Sequence, residues 1–153
     1  MRMFKKLSTA LLGLSALLLF AMGTPAQAQH PHYLHALSNL RQARVLLQTD
    51  NRPGFIGERD HAIGEIDRAI DEVKKAVRDE GRSPHFTPPP ATAGDPNRPL
   101  RSALDLLDEA HRDVASGIDE TGHEGLQMRA LQHIDEARHA LDHAIHVMEE
   151  RRY

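Results

Sequence analysis

The chain has 153 residues, no cysteine, and a formal charge of −3 at pH 7, from 19 Lys and Arg against 22 Asp and Glu. The lack of cysteine excludes disulfides, thiolate metal sites, c-type haem attachment and cysteine nucleophiles. Mild acidity argues against a nucleic-acid binder, which needs a basic surface to neutralise phosphates.

Residues 1–28 read as a secretory signal peptide. Arg2, Lys5 and Lys6 form a basic start, Leu7 to Met22 an apolar stretch, and Ala26-Gln27-Ala28 a small-x-small cleavage site. Removing it leaves residues 29–153, an ordinary size for one domain, with a periplasmic or secreted destination. Every Asp and Glu lies beyond residue 28, so this mature part carries a formal charge of −6. The apolar stretch is too short for a convincing membrane span and nothing later replaces it, so no span is expected after signal removal.

A four-fold repeat sets the fold. His35-Ala36-Leu37-x-x-Leu40-x-x-Ala43 recurs from His61, from Ser102 and from Arg129, and each copy ends on an aliphatic: Leu47, Val73, Val114 and Leu141. Three copies run on through Ala76-Val77, Gly117-Ile118 and Ala144-Ile145. Steps of three and four bring these positions into one stripe of an α-helix. The spacing predicts helices near 31–49, 58–80, 98–119 and 123–150, with no strand. Pro31 suits the first turn of the first helix, and Gly81 suits the residue just past the second. Thr121 to Glu124 has the form of a capping box opening the fourth. Stripes of this kind gain stability by packing on one another. The expected fold is therefore all-α: a four-helix bundle of two repeated αα-hairpins joined by a Pro-rich linker at about 82–98. Mature aromatics are only Tyr33, Phe55, Phe86 and Tyr153, so the core is aliphatic and leaves little room for an organic cofactor.

The chemical oddity is eleven histidines, all of them beyond residue 28. With Ile134 set at zero on the fourth helix, the core positions run from roughly −80° to +20°, while His139, His143 and His146 fall near 140°, 180° and 120°. Glu136, His139, His143, His146 and Glu150 thus form one outer stripe. Imidazoles at i,i+3 and i,i+4 are neighbours able to chelate one borderline cation, with carboxylate or water completing the sphere. A solvated face that happens to use histidine has the same pattern. An up-down-up-down bundle would gather His30, His32, His35 and His85 with that stripe at one end. The linker is also long enough for the third helix to start at the other end, which would separate them.

No catalytic constellation appears. Glu136-x-x-His139 matches the local motif of di-iron bundles, but it points outward and lacks an inward partner. On the first helix, Leu34, Val45 and Leu46 fall away from the stripe, and Phe55 and Ile56 follow in the turn. They are covered either by the Pro-rich linker or the turn between the first two helices, or by a homodimer or protein partner.

The opening His30-Pro31-His32-Tyr33-Leu34-His35-Ala36-Leu37-Ser38-Asn39-Leu40-Arg41 resembles the start of a group of uncharacterised secreted bacterial helical proteins. The likeness runs through Ile66-Asp67-x-Ala69-Ile70 and His133-Ile134-Asp135-x-Ala137. It implies an exported four-helix fold and no particular activity. The histidine content is also reminiscent of the periplasmic small metal-binding protein family, although only the fourth helix here carries a dense stripe. The expected function is non-enzymatic binding of copper, nickel or zinc by His139, His143 and His146 with Glu136 and Glu150, and by His30, His32 and His35. The alternative is an envelope interaction or stress-associated protein whose histidines respond to pH.

Overall fold

The computed structural model describes residues 32–85, 95, 98–117 and 124–151. Four helices account for most of them: α1 (His32–Thr49), α2 (Ile56–Asp79), α3 (Pro99–Ser116) and α4 (Glu124–Glu150). The signal segment, His30, Pro31, His123 and the Thr121–Glu124 cap, apart from Glu124 itself, lie outside the described residues. No helix among the described residues is long and apolar enough to cross a membrane.

The repeat positions make the core. Ala36, Ala62, Ala103 and Ala130 are buried, as are Leu40, Ile66, Leu107 and Ile134 one turn on, then Ala43, Ala69, Ala110 and Ala137. Alanine in every copy lets the helix axes approach, while Leu, Ile and Val fill the space between. The aliphatic directly after the first alanine of the motif is buried only as Leu37; Ile63, Leu104 and Leu131 pack at the rim. The aromatics Tyr33 and Phe55 join the same cluster.

Local signals end the helices where the sequence punctuates them. Gly81 takes φ +71°, its N–H donates to the Arg78 carbonyl at 2.8 Å, and that of Arg82 donates to Val77 at 3.0 Å. These are the two bonds of a Schellman motif, and the left-handed φ explains glycine there. Pro99 occupies the first turn of α3, where its missing N–H costs nothing. Between α1 and α2 the side chain of Asp50 is buried. It accepts from the Arg52 side chain, with Nε–Oδ1 at 2.8 Å, while Arg59 Nη1 donates to the Asp50 carbonyl at 2.8 Å.

In the ring of helices, α1 lies beside α2 and α3, and α4 lies beside the same two. Pairs along each seam fix direction. Glu58–His143, Glu65–His133 and Glu72–Arg129 run antiparallel between α2 and α4. Arg101–Glu149 and Arg138–Asp108 do the same for α3 and α4. Tyr33–Gly117 and Asn39–Asp113 do so for α1 and α3. Every neighbouring pair is antiparallel, so the order is up-down-down-up and α3 starts at the end opposite to where α2 stops. The end of α2 and the start of α3 therefore lie roughly a helix length apart, about 27 Å for the 18 residues of α3, a distance the chain between them is long enough to span. Arg41 Nη2 donates to the Pro84 carbonyl at 2.9 Å, which lays the start of this crossover beside α1.

This topology corrects the gathering of histidines at one end. His32 and His35 stand where α1 begins and α4 begins; His139, His143 and His146 stand toward the end of α4. It also corrects the apolar surface on the first helix. Leu34 and Leu46 belong to the core cluster, because the helix is flanked by two neighbours and its inward face is wider than one stripe. Of the apolar side chains off the first stripe and in the turn after it, Val45 (49 %) and Ile56 (51 %) stay exposed.

Candidate functional site

The candidate metal centre is the outer face of α4 beside its seam with α2. Glu136, His139, His143, His146 and Glu150 are all exposed. They share one stripe because steps of three and four accumulate little rotation on a helix. His146 Nε2 lies 3.2 Å from Glu150 Oε1, one turn away. His143 Nδ1 lies 3.8 Å from Glu58 Oε1, contributed by the first turn of α2.

Glu58 was missed in the sequence reading, because nothing local links residue 58 to residue 143. The antiparallel register set by Glu58–His143 and Glu65–His133 also brings His61, exposed on α2, to the level of His139. The spacing Glu58, His61, Glu65 was the available signal; it marks one flank of α2. The seam thus offers imidazoles from two helices and carboxylates from two helices.

Further along the seam, Glu65 is only 5 % exposed. Its Oε2 accepts from His133 Nδ1 at 2.7 Å, and its other oxygen pairs with Arg68. Both carboxylate oxygens are occupied, so this pair is a structural tie between α2 and α4 rather than a ligand set. On the α3–α4 seam, Arg138 bridges Asp108 at 2.6 Å and Asp135 at 2.8 Å, with His111 Nε2 3.5 Å from Asp135.

Among the described residues no three His, Asp or Glu side chains already surround a common point. Chelation on the α4 face therefore needs exposed side chains to rotate onto the ion. His32 and His35 are half-buried on α1 and stand apart from the α4 stripe. His85 is exposed at the start of the crossover.

A cleft of about 350 Å³ opens near the end of α4, with Arg52, Arg98 and Arg101 around Leu100, Ile145 and Met148. Arg52 is paired with Asp50 and Arg101 with Glu149, so most of its positive charge is already matched. No family model, no curated protein and no solved structure matches this chain.

Proposed function

We propose that this chain is a non-enzymatic periplasmic or secreted helical-bundle protein that binds divalent transition metal ions such as copper, nickel or zinc. The ligands are His139, His143 and His146, assisted by Glu136 and Glu150. The observation that carries this reading is the exposed i,i+4 and i,i+3 run of imidazoles on α4, with Glu58 of α2 within 3.8 Å of His143. A run of this kind gives bidentate chelation without any movement of the backbone. Imidazole and carboxylate together suit borderline cations.

The test is calorimetric titration of the mature protein with Cu²⁺, Ni²⁺ and Zn²⁺ at about pH 7.5 and 5.5, either side of the ordinary histidine range. Saturable binding should be lost in His139→Ala/His143→Ala/His146→Ala and at the lower pH, because only neutral imidazole is a ligand. Equal binding by the natural chain and the triple variant would sink the proposal.

A second reading, an envelope interaction protein with pH-responsive histidines, draws on the imidazoles that face carboxylates across helix seams. His32–Asp113, His111–Asp135, His133–Glu65 and His143–Glu58 each join two helices. Protonation would add charge attraction to each. Sedimentation across the histidine titration range tests it; self-association indifferent to pH would count against it.

A further inference from the structure

The α1–α3 seam carries a polar cluster away from the α4 stripe. Asn39 is 2 % exposed, and its Nδ2 donates to Asp113 Oδ2 at 3.3 Å. The other end of that amide, Oδ1, is buried with no hydrogen-bond partner. One turn before Asp113, Glu109 also buries an unpartnered oxygen, Oε2. On the other side, His32 Nδ1 stands 4.0 Å from Asp113 Oδ1, and His35, one turn along α1, acts on the same carboxylate.

Two buried acceptors on this seam, Asn39 Oδ1 and Glu109 Oε2, thus have no hydrogen-bond partner. Buried polar atoms are nearly always satisfied, and a buried orphan acceptor asks for a donor or a cation. One of the two amide N–H groups of Asn39 is committed to Asp113, and neither can reach the oxygen of its own amide. The helix backbone supplies no spare N–H in mid-helix, since each serves the preceding turn. What remains is a set of amide oxygen, two carboxylates and two imidazoles, drawn from two helices.

Oxygen donors alone would favour Mg²⁺ or Ca²⁺; adding imidazole moves the preference toward the Mn²⁺ to Zn²⁺ series. We propose that Asn39, Glu109 and Asp113, with His35 or His32, form a half-buried site for one divalent transition cation between α1 and α3. The imidazoles keep partial exposure, so a rotamer change closes them onto the ion, while the oxygens sit on packed helix flanks. Partial burial distinguishes the site from the solvated α4 face. Fewer competing waters and a mixed oxygen and nitrogen set should make it more selective. It uses no residue of the α4 stripe and stands or falls independently of it.

The experiment takes the mature chain carrying His139→Ala/His143→Ala/His146→Ala, so that α4 binding is gone, and titrates it with Mn²⁺ and with Zn²⁺. One-to-one saturable binding is expected, with Mn²⁺ selectively broadening the NMR signals of the Asn39 side-chain amide and the His35 ring. Asp113→Asn and, separately, Glu109→Gln should each weaken binding at least tenfold. Circular dichroism and thermal melting of both variants distinguish lost binding from lost folding, and Glu109→Gln keeps shape if Asp113→Asn does not fold. No binding by the triple variant, or binding unchanged by Glu109→Gln in a folded protein, would overturn the proposal. In that case the acceptors are served by hydrogen bonding alone. Loss of α4 binding in the natural background, with the seam site intact, would refute only the surface reading.

Discussion

The Tyr33 hydroxyl donates to the Gly117 carbonyl at 3.3 Å, across the seam where α1 begins and α3 ends. A Cβ on Gly117 would lie 2.8 Å from Tyr33 Cζ and 3.0 Å from its hydroxyl, although the glycine has an ordinary φ of −79°. Closeness of packing, not backbone freedom, therefore explains glycine here, where the copies in α2 and α4 carry Ala76 and Ala144. Gly117→Ala should destabilise by about 1–3 kcal/mol through overpacking, and Tyr33→Phe by about 0.5–1.5 kcal/mol through the lost bond. In a double-mutant cycle by urea unfolding, the Gly117 effect should persist in Tyr33→Phe and shrink in Tyr33→Leu. An unchanged melting curve for Gly117→Ala would contradict the close approach.

Burial pushes the Asp113 carboxyl above its ordinary value near 3.8, against the opposing pull of His35 and His32. Glu109 nearby pushes in the same direction as burial, and Arg112 against it. The folded chain thus holds this proton more tightly than the unfolded chain. That contribution is complete below about pH 3.8 and is lost as pH rises through the higher native value. Asp113→Asn removes the loss, so relative to the natural chain its stability should improve between pH 4 and neutrality. Chemical unfolding at a series of pH values reads this directly. A stabilised variant that no longer takes up a cation would mark Asp113 as kept for binding rather than for folding.

Asp50 behaves in the opposite sense. Hydrogen bonds from Arg52, helped by its charge and that of Arg59, hold the carboxyl below the ordinary 3.8 in spite of burial. Its stabilisation is present above about 3.8 and disappears as pH falls through the lowered native value. Asp50→Asn should cost about 1–3 kcal/mol at neutral pH, with the gap to the natural chain narrowing as pH falls below the ordinary value of 3.8. Arg52→Met should reproduce much of that loss, since it leaves a buried carboxylate short of its main partner.

The elements were legible because their signals are local: three-and-four periodicity for each stripe, Gly81 after α2, Pro99 opening α3. Direction was not. The stretch between α2 and α3 is long enough to return or to cross, and no residue within it reports which end it reaches. Leu34 and Leu46 looked displaced because a single stripe was assumed, whereas a helix flanked on two sides buries a wider face. Asn39, Glu109 and Asp113 escaped notice because polar residues outside the stripe read as solvent-facing. Only the antiparallel approach of α1 and α3 sets the buried Asn39 against the half-buried Asp113. The α4 stripe itself was readable from phase alone, but Glu58 depends on a helix register that no local pattern encodes.

That register gives the sharpest prediction for the α4 face. If an ion on His143 also engages Glu58, it ties α2 to α4 and stabilises the fold, because the unfolded chain lacks the arrangement. Binding of a ligand to the native state alone adds roughly 2.7 kcal/mol when its free concentration is a hundred times the Kd. Ni²⁺ should therefore raise the melting temperature at about pH 7.5 and leave it unchanged near pH 5.5, where imidazole is mostly protonated. Glu58→Gln should keep part of that rise and Glu150→Gln most of it. A rise in Glu58→Gln equal to that of the natural chain would restrict the site to α4, with no tie across the seam. A rise that survives the triple histidine variant would move the stabilising ion elsewhere, with the α1–α3 seam the first place to look.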